Sequence, residues 1–497
     1  MILSIDQGTT GTRAIVFDRD GGIVTQAYAE FPQHYPKPGW VSHNPVEIWD
    51  STCAVVGQAL GDLGARGGGI AGIGITNQRE TTVIWDRATG EPVHDAIVWQ
   101  CRRTADLCRR YREQGLSDVV AEKTGLIIDP YFSATKIVWL LENVEGLRSR
   151  AESGEVCFGT VDTYLLYRLT CGAVHATDLT NASRTMCLNI HTRQWDPELL
   201  DAFGVPEAIL PAVHPSAFDF GTTAGTELPV PAGIPIAGIA GDQQSALFGQ
   251  RGVAAGDLKN TYGTGCFALF HTGPETVASQ NGLLTTLACD PEVGAACALE
   301  GSVFSAGAAV QWLRDGLGII RQADETEALA SSVEDTGDIY LVPAFTGLGS
   351  PHWDPDARGT LVGITRGTER AHLVRAALES IAYQTADLVD AMAADAGRPV
   401  IELRVDGGAV VNDFLMQFQA DILGAPVVRP RCTETTALGA AMLAGLRSGF
   451  WKDPEALAGI NPPERVFEPA MSDDRRQNLL AGWHRAVATA RSHARSH

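Results

Sequence analysis

The 497-residue sequence lacks an excess of positive charge. Its 38 Lys and Arg residues face 59 Asp and Glu residues, which gives a formal net charge of −21 at pH 7. A protein this acidic repels the phosphates of nucleic acids and anionic membrane surfaces. We therefore expect neither nucleic acid nor a membrane as a partner, and a phosphate-bearing ligand would have to be bound by local donors.

The sequence also lacks a long apolar segment and a paired-cysteine motif. No run reaches the ~18 apolar residues of a membrane-spanning helix, and the chain opens on a strand without a charged leader. The 10 cysteines are dispersed, with no C-x-x-C pair and no histidines at zinc spacing. Dispersed cysteines are typical of a reducing compartment, so we expect a cytoplasmic protein.

Two common nucleotide-binding motifs are missing from the N-terminal region. The turn that contains Gly8, Thr9, Thr10 and Gly11 lies between two predicted strands. A Walker loop would end in Gly-Lys-Ser/Thr and lead into a helix, and a Rossmann fingerprint would read G-x-G-x-x-G. The turn nevertheless offers N–H groups and hydroxyls to phosphate oxygens. Asp6, at the end of the first strand, could hold a magnesium ion through water.

The same order of strand, Gly-Thr turn and strand recurs at residues 258–272. Gly263-Thr264 then aligns with Gly8-Thr9, which indicates an internal duplication. Coincidence is the alternative, because such turns are common in sheet proteins. Thr261 fills the position of Asp6, so we expect only the first copy to organise a metal. Chain length favours two domains, predicted at residues 1–248 and 249–497.

A buried strand is predicted at Ile234–Ala240, followed by Gly241-Asp242 and a helix over Gln243–Gln250. Asp242 would lie at the carboxyl end of that strand, where open α/β sheets bind their ligands. The alternative is that Asp242 only caps the helix.

Arg79 and Glu80 lie in a turn between two further strands. Adjacent opposite charges usually belong to an exposed loop, and that interpretation stays open beside a functional one.

Three helices and a glycine pair complete the predicted elements. The helices cover Pro45–Leu63 after an Asn44 cap, Glu369–Ala394 after a Thr368 cap, and a segment from near Asn412. Gly407-Gly408, between a strand and the third helix, would let a flat ring or a phosphate approach the backbone.

Longer motifs carry a resemblance. They are DQGTTGTR at 6–13, GITNQRETT at 74–82, WQCRRT at 99–104, DPYFS at 129–133, GIAGDQQ at 238–244, NTYGTGCF at 260–267, GLGSPHWDPDARG at 347–359 and RVDGGAVVNDFLMQFQADILG at 404–424. In this order, over nearly the whole chain, they resemble the FGGY carbohydrate kinase family, and within it the bacterial members that phosphorylate glycerol.

The resemblance implies an α/β, actin-like (ribonuclease-H-like) ATPase fold, with two duplicated domains around a cleft that binds MgATP and a polyol. Glycerol would be converted to sn-glycerol 3-phosphate, with Asp242 as the catalytic base and with Asp6 and Asp242 near the metal. The implied glycerol contacts are Arg79, Glu80, Trp99, Tyr131, Asp242, Gln243 and Phe267. The implied nucleotide contacts are Thr9, Thr10, Gly11, Arg13, Thr264, Gly307, Gln311, Gly408 and Asn412.

The resemblance also bears on regulation and assembly. Some bacterial relatives carry a Gly-x-Arg arm for fructose 1,6-bisphosphate, and others a phosphorylated histidine, but ELPVPAGIPI at 227–236 has no Arg and no His lies between Ser216 and Asp242. We expect neither regulation here. Relatives form dimers and tetramers, so we expect a homo-oligomer.

Two alternatives remain at this point. One is a family member acting on a longer sugar such as a pentulose or gluconate. The other is a non-catalytic actin-like ATPase, which would need no polyol site.

Overall fold

The computed structural model describes residues 1–64, 69–225, 230–290 and 296–494. Up to residue 250 the elements are β1 (Ile2–Gln7), β2 (Gly11–Phe17), β3 (Ile23–Glu30), β4 (Ser42–His43), α1 (Pro45–Leu63), β5 (Gly72–Asn77), β6 (Val83–Asp86), β7 (Ala96–Ile97), α2 (Ala105–Glu113), α3 (Ser117–Thr124), α4 (Ser133–Asn143), α5 (Leu147–Glu152), β8 (Val156–Gly159), α6 (Val161–Leu169), β9 (Ala176–Asp178), α7 (Leu179–Ala182), β10 (Leu188–Asn189), β11 (Gln194–Trp195), α8 (Pro197–Phe203), β12 (Ala212–His214), β13 (Ile236–Gly241) and α9 (Asp242–Gly249).

The remaining helices and strands lie after residue 250. They are β14 (Leu258–Tyr262), β15 (Cys266–Gly273), β16 (Leu284–Leu287), β17 (Cys297–Val303), α10 (Gly307–Gln311), α11 (Glu325–Ser331), β18 (Tyr340–Val342), β19 (Thr360–Val362), α12 (Arg370–Ala396), β20 (Leu403–Asp406), α13 (Asp413–Leu423), β21 (Val427–Pro430), α14 (Thr435–Arg447), β22 (Pro463–Phe467) and α15 (Asp473–Ala494). No described helix combines the length and the apolar character needed to cross a membrane.

Two sheets with the same internal order organise the molecule. The first runs β13-β5-β1-β2-β3, and the second contains β21-β20-β14-β15-β17, extended by β22 at one edge and β16 at the other. In both sheets the first three strands of this order are parallel and the next two pairings are antiparallel. This repetition confirms the internal duplication predicted from the two Gly-Thr turns.

Helix boundaries follow local sequence signals closely. α1 begins at Pro45 after Asn44, whose side chain accepts the N–H of Val46, as predicted. The cap of α12 was predicted one residue too early. Glu369 caps this helix and exchanges bonds with His372, while Gly397 ends it in the left-handed conformation.

The helices α9 and α14 cross in close contact between the two sheets. A Cβ atom on Gly249 of α9 would lie 2.0 Å from the Thr435 carbonyl oxygen of α14. A Cβ atom on Gly439 of α14 would lie 1.9 Å from the Ser245 carbonyl oxygen of α9. The two contacts are reciprocal, so only glycine fits at either position. The crossing fixes α9, whose first residue is Asp242.

Each half has its own apolar core. One cluster surrounds the first sheet and includes Ile5, Ile75 and Trp85, and another surrounds the second sheet and includes Tyr262 and Leu403. A third lies where α14 packs on the first sheet, so α14 follows a strand of the second sheet but covers the first.

Candidate active site

Three parallel strands of the first sheet end at the same edge. β1 ends at Gln7, β5 at Asn77 and β13 at Gly241, and the register pairs Gln7 with Asn77 and Asn77 with Gly241. The residues at these ends are therefore neighbours, although they are far apart in sequence. This edge is where parallel sheets bind ligands.

Asp242 opens helix α9, and its side chain is 31% exposed. The alternative that it is only a helix cap is wrong, because Gly241 occupies the cap position. Its Oδ1 atom accepts the N–H of Gln243 at 2.7 Å and lies 3.1 Å from Nε of Arg79. No described residue donates a hydrogen bond to Oδ2. One carboxylate oxygen is thus held in place while the other can accept a proton.

Arg79 and Glu80 are 3% and 1% exposed, so the exposed-loop interpretation is wrong. Glu80 has a left-handed backbone with φ of 61°, which is uncommon for a residue other than glycine. Its carbonyl oxygen accepts hydrogen bonds from Lys136 Nζ at 3.0 Å and Ser133 Oγ at 3.1 Å. Lys136 also donates to the Tyr131 carbonyl at 2.6 Å. Burial lowers the pKa of Lys136 to about 7.

Most N–H groups of the Arg79 guanidinium are already committed. Nη1 donates to Glu300 at 2.5 Å and to Gln244 at 3.2 Å, and Nη2 donates to Glu300 at 3.1 Å. Nε faces Asp242, and the second Nη2 hydrogen has only the Tyr131 hydroxyl, at 3.5 Å. A polyol would therefore meet Arg79 at Nη2, next to Tyr131.

Five alternating charges form a continuous series through the site. Asp242 is followed by Arg79, Glu300, Arg184 and Glu80. Arg184 donates to Glu300 Oε1 at 2.8 Å and to Glu80 Oε1 at 2.7 Å. Burial alone would raise the pKa of Glu300, but the two arginines outweigh it and lower the pKa. For Glu80 burial prevails over the arginines and raises the pKa.

Three aromatic rings surround the space beside these charges. The Trp99 ring centre lies 5.6 Å from that of Tyr131 and 6.2 Å from that of Phe267. The Trp99 indole N–H donates to the Thr9 hydroxyl at 2.9 Å. The structure thus brings together the three aromatic residues named from the sequence. Through Trp99 it also places them beside the first Gly-Thr turn.

Lys259 was not predicted from the sequence, but it contacts two of the residues expected to bind the polyol, Gln243 and Phe267. Its fully buried ammonium group donates to Gln243 Oε1 at 2.5 Å, Thr261 Oγ1 at 2.8 Å and the Phe267 carbonyl at 3.3 Å. Burial lowers its pKa to about 8. Arg184 and Glu300 were missed as well. All three are single charged residues within apolar or polar stretches, where sequence patterns favour exposure.

Each Gly-Thr turn is closed by a backbone hydrogen bond that its first glycine donates. The Gly8 N–H donates to the Gly11 carbonyl at 3.0 Å, and the Gly263 N–H donates to the Gly265 carbonyl at 2.9 Å. Thr10 is exposed and Thr9 is half-buried, so the first turn presents hydroxyls to solvent. Gly11 is buried at the start of β2.

Asp6 lies beside the first turn and is 8% exposed. Burial raises its pKa to about 7, against the opposing effect of Arg13 and with further elevation from Glu434 and Asp242. Its carboxylate receives no hydrogen bond from the described residues. Arg13 itself pairs with Glu434 at 2.9 Å, near the start of α14. An acid with unoccupied oxygens fits a magnesium ion bound partly through water.

A cage of protein ligands is not available for that ion. Within the described ranges no group of three or more His, Cys, Asp or Glu side chains could hold a metal. Phosphate oxygens and water would have to complete the coordination of an ion near Asp6, which is the usual arrangement for Mg²⁺ with nucleotides.

The residues expected to bind nucleotide follow the second turn. The Thr264 carbonyl accepts N–H groups of residues 306 and 308, and the Gly307 N–H donates to the Gly263 carbonyl at 3.0 Å. Gln311 ends the same short helix, α10. The second turn, which contains Thr264, is therefore hydrogen-bonded to the start of α10, the helix that contains Gly307 and Gln311.

Gly408 and Asn412 follow β20, the strand that pairs with β14. Gly408 begins a 3₁₀ helix after Gly407, where an added Cβ atom would lie 2.5 Å from the Tyr262 carbonyl. The Asn412 side chain caps α13 by accepting the Leu415 N–H at 2.9 Å, and its amide group donates to Thr326.

The sequence matches one family over both halves. The FGGY family of carbohydrate kinases, N-terminal domain, matches residues 1–249, and the C-terminal domain of the same family matches residues 258–448. Glycerol kinase 2 of Thermotoga maritima is 58% identical over 487 residues, which cover 98% of both chains. The glycerol kinase of Shewanella sediminis is 57% identical over 490 residues, again 98% of both chains.

Solved structures agree with these matches. The crystal structure of Plasmodium falciparum glycerol kinase with ADP superimposes with a TM-score of 0.94 at 37% identity, covering 98% of each chain. Gluconate kinase from Lactobacillus acidophilus superimposes with a TM-score of 0.88 at 20% identity, covering 99% of this chain and 98% of its own. At this identity the match supports only the fold. The similarity confirms the predicted actin-like α/β fold with two duplicated domains around a cleft.

Proposed function

This chain belongs to the FGGY family of carbohydrate kinases, and we propose that within it this protein transfers the γ-phosphoryl group of ATP to glycerol. The product is sn-glycerol 3-phosphate, and the reaction is the entry step of glycerol catabolism. Identity above 55% to glycerol kinases along almost the whole chain supports both substrates.

One observation carries the assignment to a small polyol. Trp99 lies between Tyr131 and Phe267 and also donates a hydrogen bond to Thr9 of the first turn. Aromatic faces suit the C–H side of a short polyol, and the turn suits phosphate oxygens. A three-carbon substrate in this space would have its terminal hydroxyl close to the phosphate-binding turn.

Asp242 acts as the base in this proposal. Its Oδ2 atom accepts the proton of the glycerol hydroxyl while the hydroxyl oxygen forms a bond to the γ-phosphorus. The bond from that phosphorus to the β,γ-bridging oxygen breaks, and ADP leaves with both electrons of that bond. Arg79 keeps Asp242 oriented through Nε and offers its remaining Nη2 hydrogen to the substrate. Glu80 and Gln243 supply further polar contacts, so an analogue without a hydroxyl would leave buried groups unpaired.

The nucleotide contacts and the metal complete the proposed site. Thr9, Thr10, Gly11 and Arg13 would bind phosphates from the first half, and Thr264, Gly307, Gln311, Gly408 and Asn412 would bind nucleotide from the second. A magnesium ion bound with ATP would neutralise charge on the phosphate oxygens. Asp6 would hold the ion through water, and the negative charge of Asp242 would lie near it.

We further propose a division of the chain at residues 248 and 249, a cytoplasmic location and a homo-oligomeric state. The family matches over residues 1–249 and 258–448 support the division. Helix α14 follows a second-half strand but packs on the first sheet, so the two domains would be joined through it.

Regulation is proposed to differ from that of some bacterial relatives. The sequence from Ser216 to Asp242 has neither the Arg of a bisphosphate arm nor a histidine. Residues 226–229 of this stretch lie outside the described structure. Activation by fructose 1,6-bisphosphate, or a phosphohistidine in this stretch detected by mass spectrometry, would contradict the proposal.

A substrate panel tests the proposed function. ADP production is measured with MgATP and glycerol, dihydroxyacetone, xylulose, ribulose or gluconate. Preferred turnover of glycerol is expected. Preference for a longer sugar would overturn the polyol assignment, and ATP hydrolysis that ignores every polyol would indicate an actin-like ATPase without a sugar substrate.

A further inference from the structure

Glu300 is a fully buried carboxylate with both oxygens bonded to arginines. Oε2 accepts Arg79 Nη1 at 2.5 Å, while Oε1 accepts Arg79 Nη2 at 3.1 Å and Arg184 Nη2 at 2.8 Å. The bond to Arg79 is therefore bidentate and fixes the plane of the guanidinium as well as its position. With that plane fixed, Nε points toward Asp242.

Arg184 continues this arrangement to the other substrate carboxylate. Its side chain is fully buried and connects Glu300 with Glu80 Oε1 through two different nitrogens. No described residue donates to Oε2 of Glu80, just as none donates to Oδ2 of Asp242. The series of charges thus ends on each side in a carboxylate with one free oxygen.

The series also crosses between the two halves of the molecule. Glu300 lies on β17 of the second sheet, whereas Arg79, Glu80 and Arg184 all precede β13. Burying four charges costs free energy through desolvation, and replacing such a cluster by apolar residues is often neutral or stabilising. Stability alone is therefore a weak explanation for it.

We propose that Glu300 and Arg184 are positioning residues that set the spacing and orientation of Asp242 and Glu80 around the polyol. The inference rests on the proposed function, since it concerns the same site. Neither residue touches the substrate. They act through Arg79, which offers the polyol one remaining Nη2 hydrogen because Glu300, Gln244 and Asp242 engage the others.

The test uses Glu300→Gln, which preserves shape and removes the charge. Misplacement of reacting groups by about 1 Å can cost 10²-fold in rate, so we expect kcat/KM for glycerol to fall about 100-fold or more. KM for ATP should change less than about threefold, because the nucleotide contacts are untouched.

Glu379→Gln is the matched control. Glu379 is 3% exposed and is paired with Arg375 at 2.8 Å within α12, away from the site. It should lose a comparable amount of thermal stability and keep kcat/KM for glycerol. Equal loss of kcat/KM in the two folded variants would overturn the proposal.

A double variant separates positioning from charge balance. In Arg184→Gln/Glu300→Gln the buried charges balance again, so stability should recover relative to Glu300→Gln. The double variant therefore also serves as the test if Glu300→Gln alone folds poorly. Turnover of glycerol should stay low, because the Arg79 fork still lacks its acceptor. Recovery of turnover together with stability would show a structural role only and overturn the proposal.

Arg184→Lys gives a finer test of the same idea. The charge remains, but one ammonium cannot reproduce the fixed geometry of Nε and Nη2. We expect a reduced kcat/KM for glycerol at nearly parental stability, and parental turnover would count against positioning by Arg184. Turnover of the parent in the same assay tests the proposed function separately. If the parent prefers another polyol, the ratios between variants are measured with that polyol.

Discussion

In the first half of the molecule Asp6 of β1 is paired in register with Thr76 of β5, and in the second half Thr261 of β14 is paired with Asp406 of β20. The two equivalent sites thus hold the same residue types in exchanged strands. Asp6 receives no hydrogen bond from the described residues. Asp406 accepts bonds from Gln250, at 2.8 Å, and from Thr435. One acid is free for chemistry, and its counterpart joins the second sheet to the ends of α9 and α14.

This difference shows that two duplicated domains can keep the same strand order while their equivalent carboxylates take different roles. The strand order and the turns are repeated, but only the first copy leaves its carboxylate open near Asp242. The sequence expectation that Thr261 removes the acid from the second copy is therefore incomplete, because Asp406 supplies one from the neighbouring strand.

The largest expected effect separates the two acids. Asp6→Asn should lower kcat/KM for MgATP by about 10²–10³-fold, as loss of one charge-stabilising group does, with little change in Tm. Asp406→Asn should keep most activity and lose about 1–3 kcal/mol of stability, because a buried hydrogen-bonded charge is removed. Steady-state kinetics and denaturant unfolding of both variants measure this. The reverse pattern would mean that the halves have been assigned the wrong roles.

A smaller effect tests the reciprocal helix crossing. Gly249→Ala and Gly439→Ala should each destabilise the protein by about 1–3 kcal/mol, since the added carbon overlaps a backbone oxygen of the other helix. Similar losses are expected because the contacts mirror each other.

Gly61→Ala in α1 is the control for this pair. Beyond the neighbouring backbone of α1, no atom of the residues that the structure describes lies within 4 Å of its would-be Cβ, so helix propensity should stabilise the protein by about 0.5–1 kcal/mol. Thermal and denaturant unfolding give all three values. Destabilisation by only one of the two crossing variants would contradict the reciprocal contact.

The smallest effect concerns the buried lysine of each half. The pKa is lowered to about 7 for Lys136 and to about 8 for Lys259. Between each folded value and the ordinary value of 10.5, the unfolded state binds more protons, so stability rises with pH in that window. Between pH 7 and 8 Lys136 contributes more of this rise than Lys259, by at most about 1.4 kcal/mol per pH unit, and Asp6, whose pKa is raised to about 7, opposes it.

Lys136→Met should therefore flatten the rise in unfolding free energy between pH 7 and 8 more strongly than Lys259→Met does. Urea unfolding at closely spaced pH values measures the slopes. A slope that persists in Lys136→Met and disappears in Lys259→Met would exchange the two assignments.

Much of the fold could be predicted from local signals. The strand and turn around Asp6, the helix Pro45–Leu63 and the strand before Asp242 follow from apolar patterns, caps and glycines. No local signal indicated that α14 covers the first sheet, because that contact depends on chain topology.

The site was predicted in part. Asp242 lies where the strand pattern indicated, and the resemblance supplied Arg79, Glu80 and the aromatic set, which the structure brings together. Glu300 and Arg184 gave no signal, since a single charge in a strand or loop usually faces water. Their burial depends on each other and on Arg79, and that dependence joins residues more than 100 positions apart.

The most direct measurement is single-turnover phosphoryl transfer by folded Asp242→Asn at saturating glycerol and MgATP. If Asp242 is the base, the chemical step should slow by about 10²-fold or more, while both substrates still bind. A chemical step as fast as that of the parent would contradict the account, because the free oxygen of Asp242 would then have no part in the reaction.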